Sequence, residues 1–193
     1  GPFAGTGGAA KPYGMDGPLT AFQGQISDTD KKFLYAGMRR AGRVLYAFDI
    51  TSKTTPTLKW KKGCPNLGND TDCTTGWSDI GQTWSTPSVT YAQGYTDPLD
   101  STETLPILLM GGGYDDCEDD DDGSTANHDC SSSTKGDLIY VLDADDGTIL
   151  KAFSTDRAVA GGITVVPVSD ADQRIMYAYA ADTGGNIYRI SGG

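Results

Sequence analysis

KFLYAGMRRAGRVLYAFDITSKTTPTLKWK (residues 32–61) runs in the same order as PILLMGGGYD (106–115) followed by KGDLIYVLDADDGTILKAF (135–153). Each reads as an apolar strand, a glycine-containing connection, a second strand, a turn, and a third strand carrying a Leu-Lys pair. The second strand has one pattern in both, Gly-x-hydrophobic-hydrophobic-Tyr-x-hydrophobic-Asp, as GRVLYAFD and GDLIYVLD. A third copy begins at MYAYAADTGGNIYRISGG (176–193) and stops after its second strand. Tyr46, Tyr140 and Tyr188 mark the shared position, and loop insertions account for their unequal spacing.

A further strand precedes each unit: GPLTAFQ (17–23), WSTPSVTYA (84–92) and GGITVVPV (161–168). Long 3.6-residue periodicity is missing, and Gly, Asp, Asn and Pro clusters separate the short β-branched and aromatic runs. The predicted fold is therefore all-β, built of antiparallel four-stranded blade-like sheets: a partial β-propeller with quinoprotein-like repeats. A blade exposes an apolar face unless a neighbour covers it, so the repeats are expected to stack. The competing reading is a small sandwich or barrel whose repeats are merely hairpins. Residues 1–10 read as a flexible N-terminal segment or a tag remnant. Residues 11–193 read as roughly two and three-quarter blades, at about 11–62, 80–154 and 158–193, with disulfide loops at 64–73 and 117–130. Closing a ring takes at least about four blades, so the chain reads as a piece of a larger propeller.

Alternation along a strand puts Val44, Tyr46 and Phe48 on one face and Leu45 and Ala47 on the other. Asp49 and Asp143 then fall at strand ends, where an aspartate accepts backbone N–H bonds and starts a turn.

Fifteen basic against twenty-six acidic residues give a net charge of -11, which argues against nucleic-acid binding and favours cations or basic partners. No apolar run reaches the length of a membrane helix, so membrane insertion is not expected. The four cysteines form two local pairs, Cys64 with Cys73 and Cys117 with Cys130, each around a Gly, Asn and Asp-rich loop. Neither pair has C-x-x-C spacing and His128 is the only histidine, so disulfides are preferred over zinc. Disulfides place the chain in the periplasm or outside the cell.

DDCEDDDD (115–122) packs seven carboxylates into eight positions. A hard divalent cation would relieve their repulsion, which makes calcium a candidate with Asp116, Glu118, Asp119 and Asp121 as ligands. Against this, the alternating D-x-D-x-D-G spacing is lacking, and a solvated insertion held by its disulfide is the competing reading. Catalytic signatures such as G-x-S-x-G, a P-loop or H-E-x-x-H do not occur, so the chain does not read as an enzyme. GTGGAA and MGGGYD read as flexible turns. Trp60, Trp77 and Trp84 are expected mostly to pack between blades; Trp77, in TTGWSDIGQ, is the candidate for an exposed binding surface.

Taken together, YGMDGPLTA, LYAGMRRAGRVLYAFDIT, IGQTWSTPSV, ILLMGGGYD, IYVLDADDGTILKAF and YAADTGGNIYRI resemble the C-terminal propeller region of the PilY/PilC family of type IV pilus biogenesis and tip-adhesin proteins, over about residues 12–193. The resemblance implies a pilus-associated tip protein acting in pilus assembly, retraction control and surface adhesion, a binding rather than a catalytic module. It implies pilin or minor pilin subunits and a host or abiotic surface as partners, and export through the periplasm to the pilus tip or outer cell surface. Open blade edges add self-association. The alternative is the propeller domain of a quinoprotein-type dehydrogenase, which a scan for bound quinone would reveal. The family also implies a calcium loop just before ADTGG, with ligands at its first, third, fifth and ninth positions. Those positions hold Val168, Asp170, Asp172 and Met176. Only Asp170 and Asp172 offer carboxylates, so affinity there is expected to be weak or absent.

Overall fold

The computed structural model describes residues 13–119 and 135–192. It is all-β apart from two short 3-10 turns, Arg39–Ala41 and Asp116–Asp119. Three sheets follow one another along the chain. The first is a four-stranded meander of β1 (Leu19–Ile26), β2 (Thr29–Ala36), β3 (Arg43–Asp49) and β4 (Thr57–Cys64). The second repeats it with β5 (Ser88–Thr96), β6 (Thr104–Gly111), β7 (Leu138–Asp143) and β8 (Ile149–Ser154). The third has three strands, β9 (Thr164–Pro167), β10 (Ile175–Ala181) and β11 (Ile187–Ser191), with β10 in the middle. All pairings between these strands are antiparallel.

The repeat extends to a local irregularity. The β3–β4 register shifts between Ala47 and Phe48, and the β7–β8 register shifts at the matching place, between Val141 and Leu142. A bulge bends its strand and increases twist, so both blades are shaped alike. The aspartate ending each motif starts the next turn. Asp49 Oδ1 accepts the Thr51 N–H at 2.8 Å, and Asp143 Oδ1 accepts those of Asp145 and Asp146 at 2.6 and 2.8 Å.

Strand alternation decides how the blades stack. Leu45 and Ala47, with Phe33, Tyr35 and Trp60, face the second blade and meet Leu108, Met110, Tyr140 and Leu142. The other face of the second blade, with Leu109, Ile139 and Val141, meets Ala178, Ala180, Tyr188 and Ile190 of the third. The motif tyrosines Tyr140 and Tyr188 thus each point to the preceding blade. Tyr46 takes the same direction, on the face of the first blade that no described strand covers. There it stacks on Phe48 with ring centroids 6.2 Å apart. Polar bonds lock the first joint: the Tyr35 hydroxyl donates to the Ala144 carbonyl (2.8 Å), Trp60 Nε1 to that of Asp145 (2.9 Å), and Lys59 pairs with the Asp145 carboxylate (2.9 Å).

Candidate functional site

In an antiparallel four-stranded meander, the loop between strands two and three lies at the same end as the crossover to the next blade. Segments 37–42, 80–87, 111–114 and 158–163 are accordingly knitted together by main-chain bonds. The Arg39 N–H donates to the Thr83 carbonyl, Thr83 to Gly42, Gly81 to Gly112, Gly113 to Val159, and Gln82 and Tyr114 exchange a pair. The MGGGYD glycines are structural here, which corrects their reading as flexible turns. Gly113 has φ +107, and a Cβ there would stand 2.3 Å from the Gln82 carbonyl oxygen. Only glycine allows the strands to approach so closely. GTGGAA lies outside the described residues.

Arg43 anchors one side of this end. It is 3% exposed and its guanidinium donates to five oxygens: the carbonyls of Ile80, Asn66, Asn69 and Ser78, and the Asp70 carboxylate at 2.9 Å. Cys64 and Cys73 form the expected disulfide and close this loop. Lys135 reaches the same carboxylate at 2.8 Å. Hydrogen bonds from Lys135 and then Arg43 hold Asp70 below the usual carboxylate range. Cys64, Asp70 and Cys73 are the one cluster of three potential metal ligands among the described residues. Both sulfurs are already bonded to each other, so this cluster does not fit a metal.

Trp77 is not a surface residue. It is 2% exposed and stacks on Tyr140 with ring centroids 4.9 Å apart, filling the first blade joint from the crossover segment. This corrects its expected role in ligand contact. Its polar sequence neighbours stay outside while the ring points in.

The acidic segment begins beside this anchor. Asp115 is 5% exposed and its carboxylate accepts the backbone N–H groups of Cys117 and Lys135, both at 3.1 Å, pinning the two ends of the insertion. Asp116 is exposed, and desolvation together with the adjacent Asp115 raises its carboxyl above the ordinary value. Glu118 is 7% exposed; one of its oxygens pairs with Arg157 at 3.1 Å and the other accepts the Thr183 hydroxyl at 2.7 Å. Its carboxylate therefore fastens the insertion to the third blade and does not fit the calcium set. The backbone of Asp119 closes the 3-10 turn, while Asp121, His128 and the Cys117–Cys130 pairing lie outside the described residues.

The loop expected to carry a weakened calcium site connects β9 and β10. Asp172 there is taken by Arg174, at 2.6 Å, whose hydrogen bonds lower its pKa to about 2. Asp170 is exposed. An ion would have to displace a guanidinium from Asp172, so these two residues do not fit calcium either. Asp182, in ADTGG, has a conformational role. It is 8% exposed and accepts the Asn186 N–H, the Asn186 side-chain amide and the Tyr188 hydroxyl, all at 2.8 to 2.9 Å. Burial acts to raise this carboxyl, but the hydrogen bonds outweigh it and hold the group low.

At the same end, Arg39 and Arg40 both approach the half-buried ring of Trp84, with guanidinium carbons 4.1 and 5.6 Å from its centroid. Trp84 tilts against Tyr114, centroids 6.2 Å apart, and its Nε1 donates to Gln82 Oε1 at 3.1 Å. An open cavity of about 500 Å³ adjoins them. Trp84, expected to pack between blades, is half-buried here and belongs to neither blade-joint core, and Arg39, Arg40 and Tyr114 carried no expected role.

No protein-family model matches the chain, and no curated protein matches it in sequence. Among solved structures, the crystal structure of the Pseudomonas aeruginosa PilY1 C-terminal domain superposes on it with a TM-score of 0.63 at 18% sequence identity, over 92% of this chain and 30% of that one. The chain therefore has the fold found across 30% of the length of the PilY1 C-terminal domain.

Proposed function

We propose that this chain is the propeller part of a type IV pilus-associated tip protein that works by binding, in pilus assembly, retraction control and surface adhesion. The observation that carries the reading is the superposition on the PilY1 C-terminal domain along nearly the whole chain. The Cys64–Cys73 disulfide supports an exported protein, because such bonds persist in oxidising compartments. Among the described residues no helix is long and apolar enough to cross a membrane. Its partners on this reading are pilin or minor pilin subunits and a host or abiotic surface, with the uncovered blade faces available for self-association.

The test is genetic and direct. Deleting the coding region in the organism that encodes it should lower the number of surface pili or block their retraction, and an epitope tag on the chain should label filaments. Unchanged pili together with a label confined elsewhere would overturn the reading. An absorbance scan and a dye-linked oxidation assay on the purified protein address the quinoprotein alternative, which a tightly bound quinone would favour.

A further inference from the structure

The arginines of this acidic chain divide into two kinds. Arg43, Arg157 and Arg174 each hold a carboxylate. Arg189, over the Tyr177 ring, and Arg39 and Arg40 have no carboxylate partner among the described residues, although the chain carries twenty-six acidic side chains; the last two are adjacent in sequence and share one ring, that of Trp84. Arg39 itself sits at φ +50, a left-handed conformation that a non-glycine residue adopts at a cost and that gathers at functional sites. That backbone is held by the Arg39 N–H bond to Thr83 and by the Gly42 N–H bond to the Arg39 carbonyl.

The adjoining cavity of about 500 Å³ falls in the size range of small-molecule sites, and its lining is unusual. Tyr13, Arg40, Gln82, Trp84 and Tyr114 supply the side chains, beside Ala160 and Gly161. Among the described residues of this lining no aliphatic side chain is larger than alanine, which disfavours a lipid or an apolar peptide. Among the described lining residues none is acidic, and Arg40 supplies a positive charge. What remains is a set of flat amphipathic rings, an amide and a cation. Rings meet the C–H faces of a sugar while their polar tips and the amide meet hydroxyls. A guanidinium takes a carboxylate with two parallel hydrogen bonds.

We propose that the cavity beside Trp84 binds acidic sugars, with Arg40 taking the carboxylate, Trp84 and Tyr114 meeting the ring, and Arg39 holding Trp84 in place. The inference goes beyond the pilus reading and does not depend on it, since it rests on the cavity alone.

The test is a titration of the intact chain with glucuronate, glucose and acetate at constant ionic strength, followed by Trp84 fluorescence and by calorimetry. Trp60 and Trp77 are buried and give a steady background. Glucuronate should bind saturably, and glucose and acetate at least about tenfold more weakly, since each lacks one half of the recognised chemistry. Arg40→Gln should weaken glucuronate binding by about tenfold and leave the melting temperature unchanged, because Arg40 is exposed. A second variant, Trp84→Phe, should weaken binding while keeping an aromatic ring in the cluster. Failure of glucuronate to saturate, acetate binding as tightly as glucuronate, or Arg40→Gln binding like the parent would each overturn the proposal.

Discussion

Replacing Trp77 by alanine tests how the blades are joined. The indole is 2% exposed and stacks on Tyr140 at 4.9 Å, although its backbone belongs to a crossover segment and not to a strand. A buried aromatic side chain removes about 200 Å² from water, and at about 25 cal/mol per Å² that is about 5 kcal/mol. Alanine keeps the Cβ, and substitutions of buried Trp or Phe by alanine cost about 3–5 kcal/mol. The expected loss is therefore about 4 kcal/mol, against a total stability of about 5–15 kcal/mol for a folded domain. Trp77→Phe should retain about half of it by keeping a ring against Tyr140. Urea unfolding of the oxidised protein, followed by far-ultraviolet circular dichroism, gives both values without relying on the fluorescence that the substitution removes. A loss below about 0.5 kcal/mol is what an exposed residue would show, and would refute the argument that this ring fills the joint.

Other substitutions probe single features. The Tyr140 hydroxyl is buried with no hydrogen-bond partner among the described residues, and burial also raises its pKa; Tyr140→Phe should raise stability by about 1 kcal/mol in the same urea assay. Arg43→Ala removes the donor from the Ile80, Asn66 and Asn69 carbonyls, while Ser78 keeps Lys135, and should cost about 3 kcal/mol, with Arg43→Lys, lacking the fork, recovering only part of this. Replacing Cys64 and Cys73 together by serine should cost about 2–3 kcal/mol through the freed loop, read as a lower urea midpoint. Asp182 titrates lower in the folded chain than in the unfolded one. Its contribution is therefore present above the unfolded carboxyl pKa of about 3.9 and is lost as pH falls through the lower folded value. Asp182→Asn should flatten that part of the acid-unfolding curve measured between about pH 5 and pH 2.

The blade pattern is written locally, and so it was readable. Period-two alternation in RVLYAFD and LIYVLD separates the two faces, and the aspartate ending each run announces its turn. The Cys64–Cys73 pair, close in sequence and bracketing a turn-rich loop, was equally legible. The site residues were not, because their environments are assembled from distant segments. TTGWSDIGQ is polar on both sides of Trp77, and only the placement of Tyr140 opposite it explains its burial. Arg43 opens a strand of otherwise apolar character, yet its guanidinium is used up by carbonyls from the loop after β4. Glu118 looks like one of many acids, and Arg157 and Thr183 alone distinguish it. Arg39, Arg40 and Trp84 meet because a loop and a crossover share one end of the blades. The one local hint was the unusual Arg-Arg pair inside a glycine-flanked connection.

The direction taken by the motif tyrosines gives the molecule a polarity. Among the described residues its two outer sheet faces are unlike: one carries the Tyr46–Phe48 stack, and the other carries Tyr177, Tyr179 and Ile187, with Arg189 lying 5.0 Å from the Tyr177 ring centroid. In a repeat stack, each face is shaped for its opposite and not for itself. Copies that met through these two faces would join head to tail, as a heterologous contact. Such contacts either close into a ring or propagate as a fibre, depending on the rotation from one copy to the next. Fusing one complementary blade to either end would cap the series and hold the chain at a single copy.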